Sequence, residues 1–368
     1  MKIELNLKKL KDAVGLVDRV ASKHQTLPVL ACILIEVGKN TITLKATNLD
    51  VGVEVTIPAK TDAQGVVAVP AQTLASFLSQ VQEQSQTVIL ELVSGNLHIK
   101  TTKSKGVIKT VPPEDFPSIP KIQDGQKYTM SPEDLIQGLT AVFYSAAISS
   151  VKPELSSVYI YKDGEYLTFV ATDSFRLAEK KIKTASTNKL HDVLIPYKNT
   201  QDIIRVLGSF QNTATVNSNK NLITFENEDT YIVSRVIDGV FPDYRQIIPK
   251  SATTEVVALK QDILNALKIS NIFSDKFNQV HLTIDPKGKV FEIQTKNSDI
   301  GENETNIDAA LTGEKMEINF NYKYLIDGFQ SIHADSVSLQ LNGLNRPVII
   351  KPVSGDQTFL YLVMPMNR

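Results

Sequence analysis

A single cysteine in 368 residues removes whole classes of protein from consideration. A disulfide framework needs pairs of cysteines and a cysteine-rich zinc site needs clusters; Cys32 supplies neither and suits a reducing compartment. It lies in the apolar run Leu30-Ala31-Cys32-Ile33-Leu34-Ile35, where it reads as a small core residue. The histidines are few and scattered singly (His24, His98, His191, His281 and His333), with no metal-ligand spacing. The sequence has no glycine-rich phosphate loop, dinucleotide fingerprint or nucleophile elbow. Ser149 with Lys152, and Ser186 with Lys189, match a Ser/Lys spacing but sit in polar, loop-like sequence, so the match reads as chance. Neither a metal nor a cofactor is expected. No apolar stretch is long enough to span a bilayer, and Met1-Lys2-Ile3-Glu4-Leu5 alternates in polarity unlike a signal peptide. A formal net charge of −1 directs the chain to neither nucleic acid nor membrane. The expectation is a soluble, cytoplasmic protein without a membrane partner, whose 42% hydrophobic content suffices for several cores.

What the sequence does contain is a repeat. Ala46-Thr47-Asn48-Leu49-Asp50 returns as Ala171-Thr172-Asp173-Ser174-Phe175, 125 residues on. Val69-Pro70-Ala71-Gln72 returns as Ile195-Pro196-Tyr197-Lys198, 126 on, each before a helical run, and Phe116-Pro117 returns as Phe241-Pro242, 125 on. A weaker third copy places Phe320-Asn321-Tyr322-Lys323 125 residues past the second helix start, with Gln294-Thr295-Lys296-Asn297 at the expected third turn. Repetition at one offset marks a tandem architecture.

Each copy reads as a short strand, an amphipathic helix, three strands, and then a second strand, helix and strands. In the first copy Leu7, Leu10, Val14, Val17 and Val20 form the apolar stripe, with Lys8, Lys9, Lys11 and Arg19 off it. In the second, Ser131-Pro132-Glu133-Asp134 is a capping serine, a first-turn proline and two acids at the positive helix end. Proline-rich connectors set the boundaries at 1–122, 123–250 and 251–368. The fold class is α+β: three repeated domains of mostly antiparallel sheet, with two helices and about eight strands each.

The stretch Ala171–Leu177 joins two strand-like runs and places Arg176 between Phe175 and Leu177, a combination suited to receiving a peptide. Asp50 and Asp173 are acids at equivalent turns but belong to different repeats, so instead of a catalytic pair the pattern reads as Asp/Asn shaping the same turn twice. The tail Leu360-Tyr361-Leu362-Val363-Met364-Pro365-Met366-Asn367-Arg368 is apolar where chain ends are usually polar, and its methionines suit adaptable contacts.

Together the threefold repeat, Ala171-Thr172-Asp173-x-x-Arg176-Leu177, Phe241-Pro242-Asp243-Tyr244-Arg245, Met364-Pro365-Met366 and Leu27-Pro28-Val29-Leu30 resemble the bacterial DNA polymerase III beta subunit family, the sliding clamps. The resemblance spans the chain. It implies a non-catalytic processivity subunit that forms a homodimeric ring around double-stranded DNA. It implies as partners the replicative polymerase catalytic subunit, a clamp loader and other proteins carrying clamp-binding motifs. It implies a peptide pocket of Leu155, Thr172, Phe175, Arg176, Leu177, Pro242, Ile247, Tyr324, Leu362, Met364, Pro365 and Met366, in which Ser174-Phe175 replaces a Gly-His pair common in the family. His24 and Lys198 match family DNA contacts, whereas Thr73 stands at a position basic in relatives. The resemblance also places Ile272 and Phe273 opposite Ile108, on the edge strand Gly106–Thr110, at the dimer interface.

Size argues for pairing. A domain of about 123 residues is roughly 35 Å across, so three in a triangle leave a hole of about 5 Å and six in a hexagon about 35 Å, against a duplex roughly 20 Å wide. Two other classes remain open on sequence alone: an enzyme with an unrecognised site, and a peptide-binding scaffold that forms no ring.

Overall fold

Alternating burial marks strands such as the first, and a polar side chain caps three of the helices among the described residues. Asn6 shows both: it ends the first strand, and its side chain accepts a hydrogen bond from Lys9 N (3.1 Å) to cap the first helix. The structure, a computed structural model, describes residues 1–21, 27–82, 86–149, 151–184 and 191–366, apart from the side chain of Gln126.

The first repeat contains β1 (Lys2–Asn6), α1 (Leu7–Val17), β2 (Cys32–Val37), β3 (Thr41–Thr47), β4 (Val51–Pro58), β5 (Lys60–Thr61), β6 (Gly65–Pro70), α2 (Ala71–Gln80), β7 (Thr87–Val93), β8 (Asn96–Lys100) and β9 (Lys105–Lys109). The second contains β10 (Gln126–Met130), α3 (Pro132–Val142), β11 (Ser157–Asp163), β12 (Tyr166–Thr172), β13 (Arg176–Lys183), β14 (Val193–Pro196), α4 (Tyr197–Leu207), β15 (Ala214–Ser218), β16 (Leu222–Glu226) and β17 (Thr230–Arg235). The third contains β18 (Thr254–Leu259), α5 (Lys260–Ile272), β19 (Gln279–Asp285), β20 (Val290–Asn297), β21 (Gly301–Asn306), β22 (Ala309–Gly313), β23 (Met316–Asn321), α6 (Tyr322–Gln330), β24 (Ser336–Leu341), β25 (Val348–Pro352) and β26 (Phe359–Val363). Ser131 caps α3 as its sequence signals, accepting from Asp134 N at 3.3 Å.

The chain divides into two compact units, and the second repeat contributes strands to both. One unit comprises Met1–Ile136 and Ser186–Val236. Its sheets run β5-β1-β7-β8-β9 and β10-β15-β16-β17-β4-β3-β2-β6. α1 packs on β4 and against α2, burying Leu7, Leu10, Ala13, Val14 and Val17. Cys32 is buried and unpaired, as a core residue should be. The other unit comprises Gln137–Ala185 and Ile237–Arg368. Here β11-β12-β13-β26-β25-β24-β18-β22 lie side by side, and β21-β20-β19-β23 form a separate sheet.

One joint occurs twice. In the first unit β4 pairs antiparallel with β17, Val53 opposite Ile232. In the second unit β13, at the corresponding place in the second repeat, pairs with β26, Ala178 opposite Tyr361. Each joint continues past the ladder at both ends: Arg235 N donates to Asp50 O and Met364 N to Phe175 O, both at 2.8 Å, and at the other end Thr56 N donates to Asp229 O (2.8 Å) and Lys181 N to Thr358 O (3.0 Å). β9 and β21 each end a sheet.

α6 packs on β26 through Gly328, which faces the fully buried ring of Tyr361. A methyl group there would collide with that ring. Gly328→Ala gains about 1 kcal/mol of helix propensity but overpacks the core at a cost of about 1–3 kcal/mol. A net loss of stability is expected in urea unfolding; an unchanged or higher midpoint would show that the ring yields freely.

Candidate functional site

The turn after β12 is built by two side chains. Thr172 Oγ1 donates to Arg176 O (2.7 Å) and accepts from Ser174 N (3.2 Å). Asp173 Oδ1 accepts from both Phe175 N and Arg176 N at 2.9 Å. The first repeat reproduces the turn bond for bond: Thr47 Oγ1 to Val51 O (2.8 Å), Leu49 N to Thr47 Oγ1 (3.0 Å), and Asp50 N (3.0 Å) and Val51 N (2.7 Å) to Asn48 Oδ1. The residue shaping the first turn is thus Asn48, the counterpart of Asp173 at the 125-residue offset, and Asp50 corresponds to Phe175. In the third repeat Gln294–Lys296 remain in β20 and the turn begins only at Asn297, whose Oδ1 accepts from Asp299 N (3.0 Å). Three residues, 298–300, separate β20 from β21, as 173–175 separate β12 from β13, but the ladder closes directly on Gly301, which pairs with Asn297.

Ser174 and Leu49 occupy the left-handed region, with φ of 78° and 76°. This costs a residue bearing a Cβ about 1–2 kcal/mol, and the two Asx-type bonds hold each in place.

Arg176 turns inward. Its Nε donates to Asp173 Oδ2 (3.0 Å), Nη1 to Asp327 Oδ2 on α6 (2.5 Å) and Nη2 to Tyr144 O (2.6 Å). The guanidinium carbon lies 4.5 Å from the centre of the Tyr324 ring, a cation–π distance, and 8% of the residue remains exposed. Burial pushes the Tyr361 phenol well above its ordinary value, so it stays a donor and bonds Tyr324 O at 2.8 Å. Arg176 therefore ties the turn of the second repeat to the last helix of the third. Asp327 and Tyr144, its anchors, carried no signal in the sequence; they lie 151 and 32 positions away.

On the sheet's other face Leu177 stands opposite both Thr172 and Leu362, and Leu362 opposite Ile349. Thr172, Leu177 and Leu362 are buried neighbours in the sheet and form a floor; Leu155, before β11, is buried as well. The accessible apolar groups are Phe175 (61% exposed), Ile247 (49%) and Pro242, with Met364, Pro365 and Met366 half-buried. Met364 is fixed by Phe175 O, and Met366 N donates to Asn319 O at 2.8 Å, carrying the tail onto β23. Tyr324 reaches this group through Arg176.

The other sequence candidates lie elsewhere. Lys198 is exposed in the first turn of α4. His24 lies outside the described residues. Ile108 is buried on β9, Ile272 is 64% exposed at the end of α5, and Phe273 is half-buried after it. The Phe273 ring approaches Gly301, 3.8 Å from where a Cβ there would stand. Among the described residues no helix is long and apolar enough to cross a membrane.

Models for three domains match in order: the DNA polymerase III beta subunit N-terminal domain over residues 1–120, the central domain over 129–243 and the C-terminal domain over 245–367. The beta sliding clamp of Synechococcus elongatus is 27% identical over 375 residues, covering all of this chain and 99% of the relative. That of Escherichia coli K12 is 27% identical over 347 residues, covering 93% of each. The crystal structure of the Thermotoga maritima beta subunit superposes with a TM-score of 0.94 at 25% identity, covering 100% of this chain and 99% of that one. The Bartonella birtlesii clamp, solved bound to griselimycin, gives 0.93 at 25% identity with both chains fully covered. A threefold fold with these relatives is that of a replication processivity factor, not an enzyme. The chain belongs to the DNA polymerase III beta subunit family. Membership decides for a processivity clamp over both an enzyme and a ringless scaffold.

Glycine at position 174 adopts φ above zero without strain but gains freedom in the unfolded chain, which partly cancels the benefit. Ser174→Gly should raise stability by about 0.5–1 kcal/mol in denaturant unfolding. Destabilisation would mean that the serine side chain contributes more than its strain costs.

Proposed function

We propose that two copies of the chain close head to tail into a ring around duplex DNA, and that the turn at 172–177 with the tail at 364–366 receives peptides from the polymerase and other clamp-binding proteins. The observation that carries this is the repeated joint. Moving it one repeat further calls for β21 to pair with a last strand that a fourth repeat would supply. The first repeat holds the matching strand, β9, which pairs with β8 on one side and ends its sheet on the other. The β16–β17 pair Phe225 with Ile232 and the β8–β9 pair Ile99 with Gly106 are 126 residues apart, so Gly106 corresponds to Ile232. Asn303 follows Ala178 as Ala178 follows Val53, each 125 residues on. The expected ladder therefore sets Gly106 of one copy against Asn303 of the other, with Lys105 opposite Glu304, Val107 opposite Glu302 and Ile108 opposite Gly301.

The chemistry of the two edges fits this register. Basic Lys105 meets acidic Glu304, Lys109 lies diagonal to Glu302, and Ile108 lands beside Phe273, with exposed Ile272 alongside. Two such joints and four internal ones close a ring of six repeats, wide enough for a duplex by the size argument above. Lys198 on α4 is then a DNA-side cation. Net charge near zero suits the role, since a linked ring needs little counterion release to stay on DNA and slides more easily for it. The same reading includes the polymerase catalytic subunit and the clamp loader as partners, and a cytoplasmic location.

A ring loaded on nicked circular DNA should survive high salt and leave after linearisation, because contact binding weakens steeply with salt and linkage does not. Equal loss from circular and linear templates would contradict encirclement. For the peptide site, deletion of residues 364–368 spares β26, which ends at Val363. It should weaken partner-peptide affinity by on the order of 2 kcal/mol or more in a titration, with the dimer intact by sedimentation. Unchanged affinity in an intact dimer would place the site elsewhere.

A further inference from the structure

The segment from Phe241 to Ile247 carries two of the exposed apolar groups of the peptide site, Pro242 and Ile247, yet belongs to no strand. Its conformation is set from the side. The Phe241 ring stacks on Tyr159, centroids 4.9 Å apart with planes at 15°, and Tyr159 stacks on Tyr161 at 4.8 Å. Residues Tyr244–Ile247 then form one 3-10 turn. A one-way chain of hydrogen bonds runs beneath that turn. Arg245 Nη2 donates to Tyr161 OH (2.8 Å), Tyr161 OH lies 2.7 Å from Tyr244 OH, and Tyr244 OH donates to the Glu179 carboxylate. Arg245 also pairs with Asp163 at 2.7 Å.

A guanidinium only donates and a carboxylate only accepts, so both phenols must point toward Glu179. Burial, then the charge of Glu179, pushes the Tyr244 phenol far above its ordinary value, so its proton stays in the chain. Glu179 and Tyr244 are themselves buried, where such bonds reinforce one another. The first joint does without any of this. There Ile119 takes the place of Tyr244, its Cγ2 lying 2.8 Å from where a Cβ on Gly52 would stand, and Glu54, the counterpart of Glu179, pairs with Lys45 and Lys121. The joint itself therefore forms without a hydroxyl chain, and the chain accompanies the joint whose linker presents apolar groups to solvent.

We propose that Tyr244, held by Glu179 and Tyr161, is a positioning residue for peptide recognition, fixing the 3-10 turn so that Ile247 meets an apolar side chain of the bound peptide. This rests on the peptide-site reading above. The test is a thermodynamic cycle on the full chain, using wild type, Tyr244→Phe, Ile247→Ala and the double variant. The probe is a fluorescent synthetic peptide carrying a glutamine and a few hydrophobic residues, the composition that the family resemblance implies for clamp-binding peptides, titrated by anisotropy, with the thermal midpoint of each protein recorded.

Tyr244→Phe should weaken the probe about tenfold, and less than twofold once Ile247 is already alanine. Glu179→Gln, which retains an acceptor oxygen for Tyr244, should bind within about twofold of wild type. A lower midpoint with unchanged probe affinity in Tyr244→Phe would make the residue structural only and overturn the proposal. So would an equal loss in both Ile247 backgrounds. Failure of the wild type itself to bind the probe would overturn the peptide-site reading, and this proposal with it.

Discussion

The backbone ladder between the fourth strand of one repeat and the last strand of the next is the interaction on which the rest depends. It is made of main-chain groups, so it tolerates the replacement of Val53 and Ile232 by Ala178 and Tyr361 without changing register. Its geometry carries a constraint: a joint of this kind has two unlike sides, and a chain of three repeats uses each side twice and leaves one of each over. Exposed strand edges are a hazard when they are long and apolar. Here β9 carries Lys105 and Lys109 and β21 carries Glu302 and Glu304, so each edge disfavours its own kind and favours the other. Unlike sides that meet can close a ring or grow a filament, and the hand and angle of the repeat decide which.

The same joint explains why the chain has one candidate peptide site and not two. The Thr–Asx turn is present beside both internal joints with the same hydrogen bonds. At the first, the floor position is Gly52 and the chain's own Ile119 lies over it, while the neighbouring tip residue is Asp50 and the continuing strand ends in Arg235. At the second, Leu177 and Leu362 form the floor, Phe175 is the tip, and Met364 follows the strand. The scaffold is shared and the side chains decide. Arg176 has no counterpart at the first joint, where Val51 stands, and it fastens the second joint to α6 through Asp327.

Much of this was legible in the sequence because it is local. The Thr-Asx pair, the Pro-containing helix starts and the Phe-Pro connectors each act within a few residues, so their recurrence exposed the repeat and the α+β class. Alternating runs located strands to within a residue: the edge strand expected over Gly106–Thr110 is β9, Lys105–Lys109. What was not legible is what depends on distant pairing. Nothing in the Ala171–Leu177 stretch announces that Arg176 will be buried between Asp173 and an aspartate on another repeat's helix, so it read as a charge presented to a peptide. The connectors marked repeat boundaries, yet strands of the second repeat are shared between two compact units, because hydrogen-bonding between strands ignores composition. The buried state of Leu177 and Leu362 likewise follows from sheet register, which a list of apolar residues does not contain.

The central claim is that one strand joint, used twice within the chain, is used again between copies in the register the first two dictate. Since Cys32 is buried, introduced cysteines report cleanly. Val107→Cys combined with Glu302→Cys places two outward-facing thiols directly opposite each other across the expected ladder, within disulfide reach. Mild oxidation followed by non-reducing electrophoresis should convert this variant to covalent dimer. Pairing Val107→Cys with Ile300→Cys, two residues out of register, should give little. Efficient cross-linking of the shifted pair, or none of the first, would contradict a joint copied from within the chain.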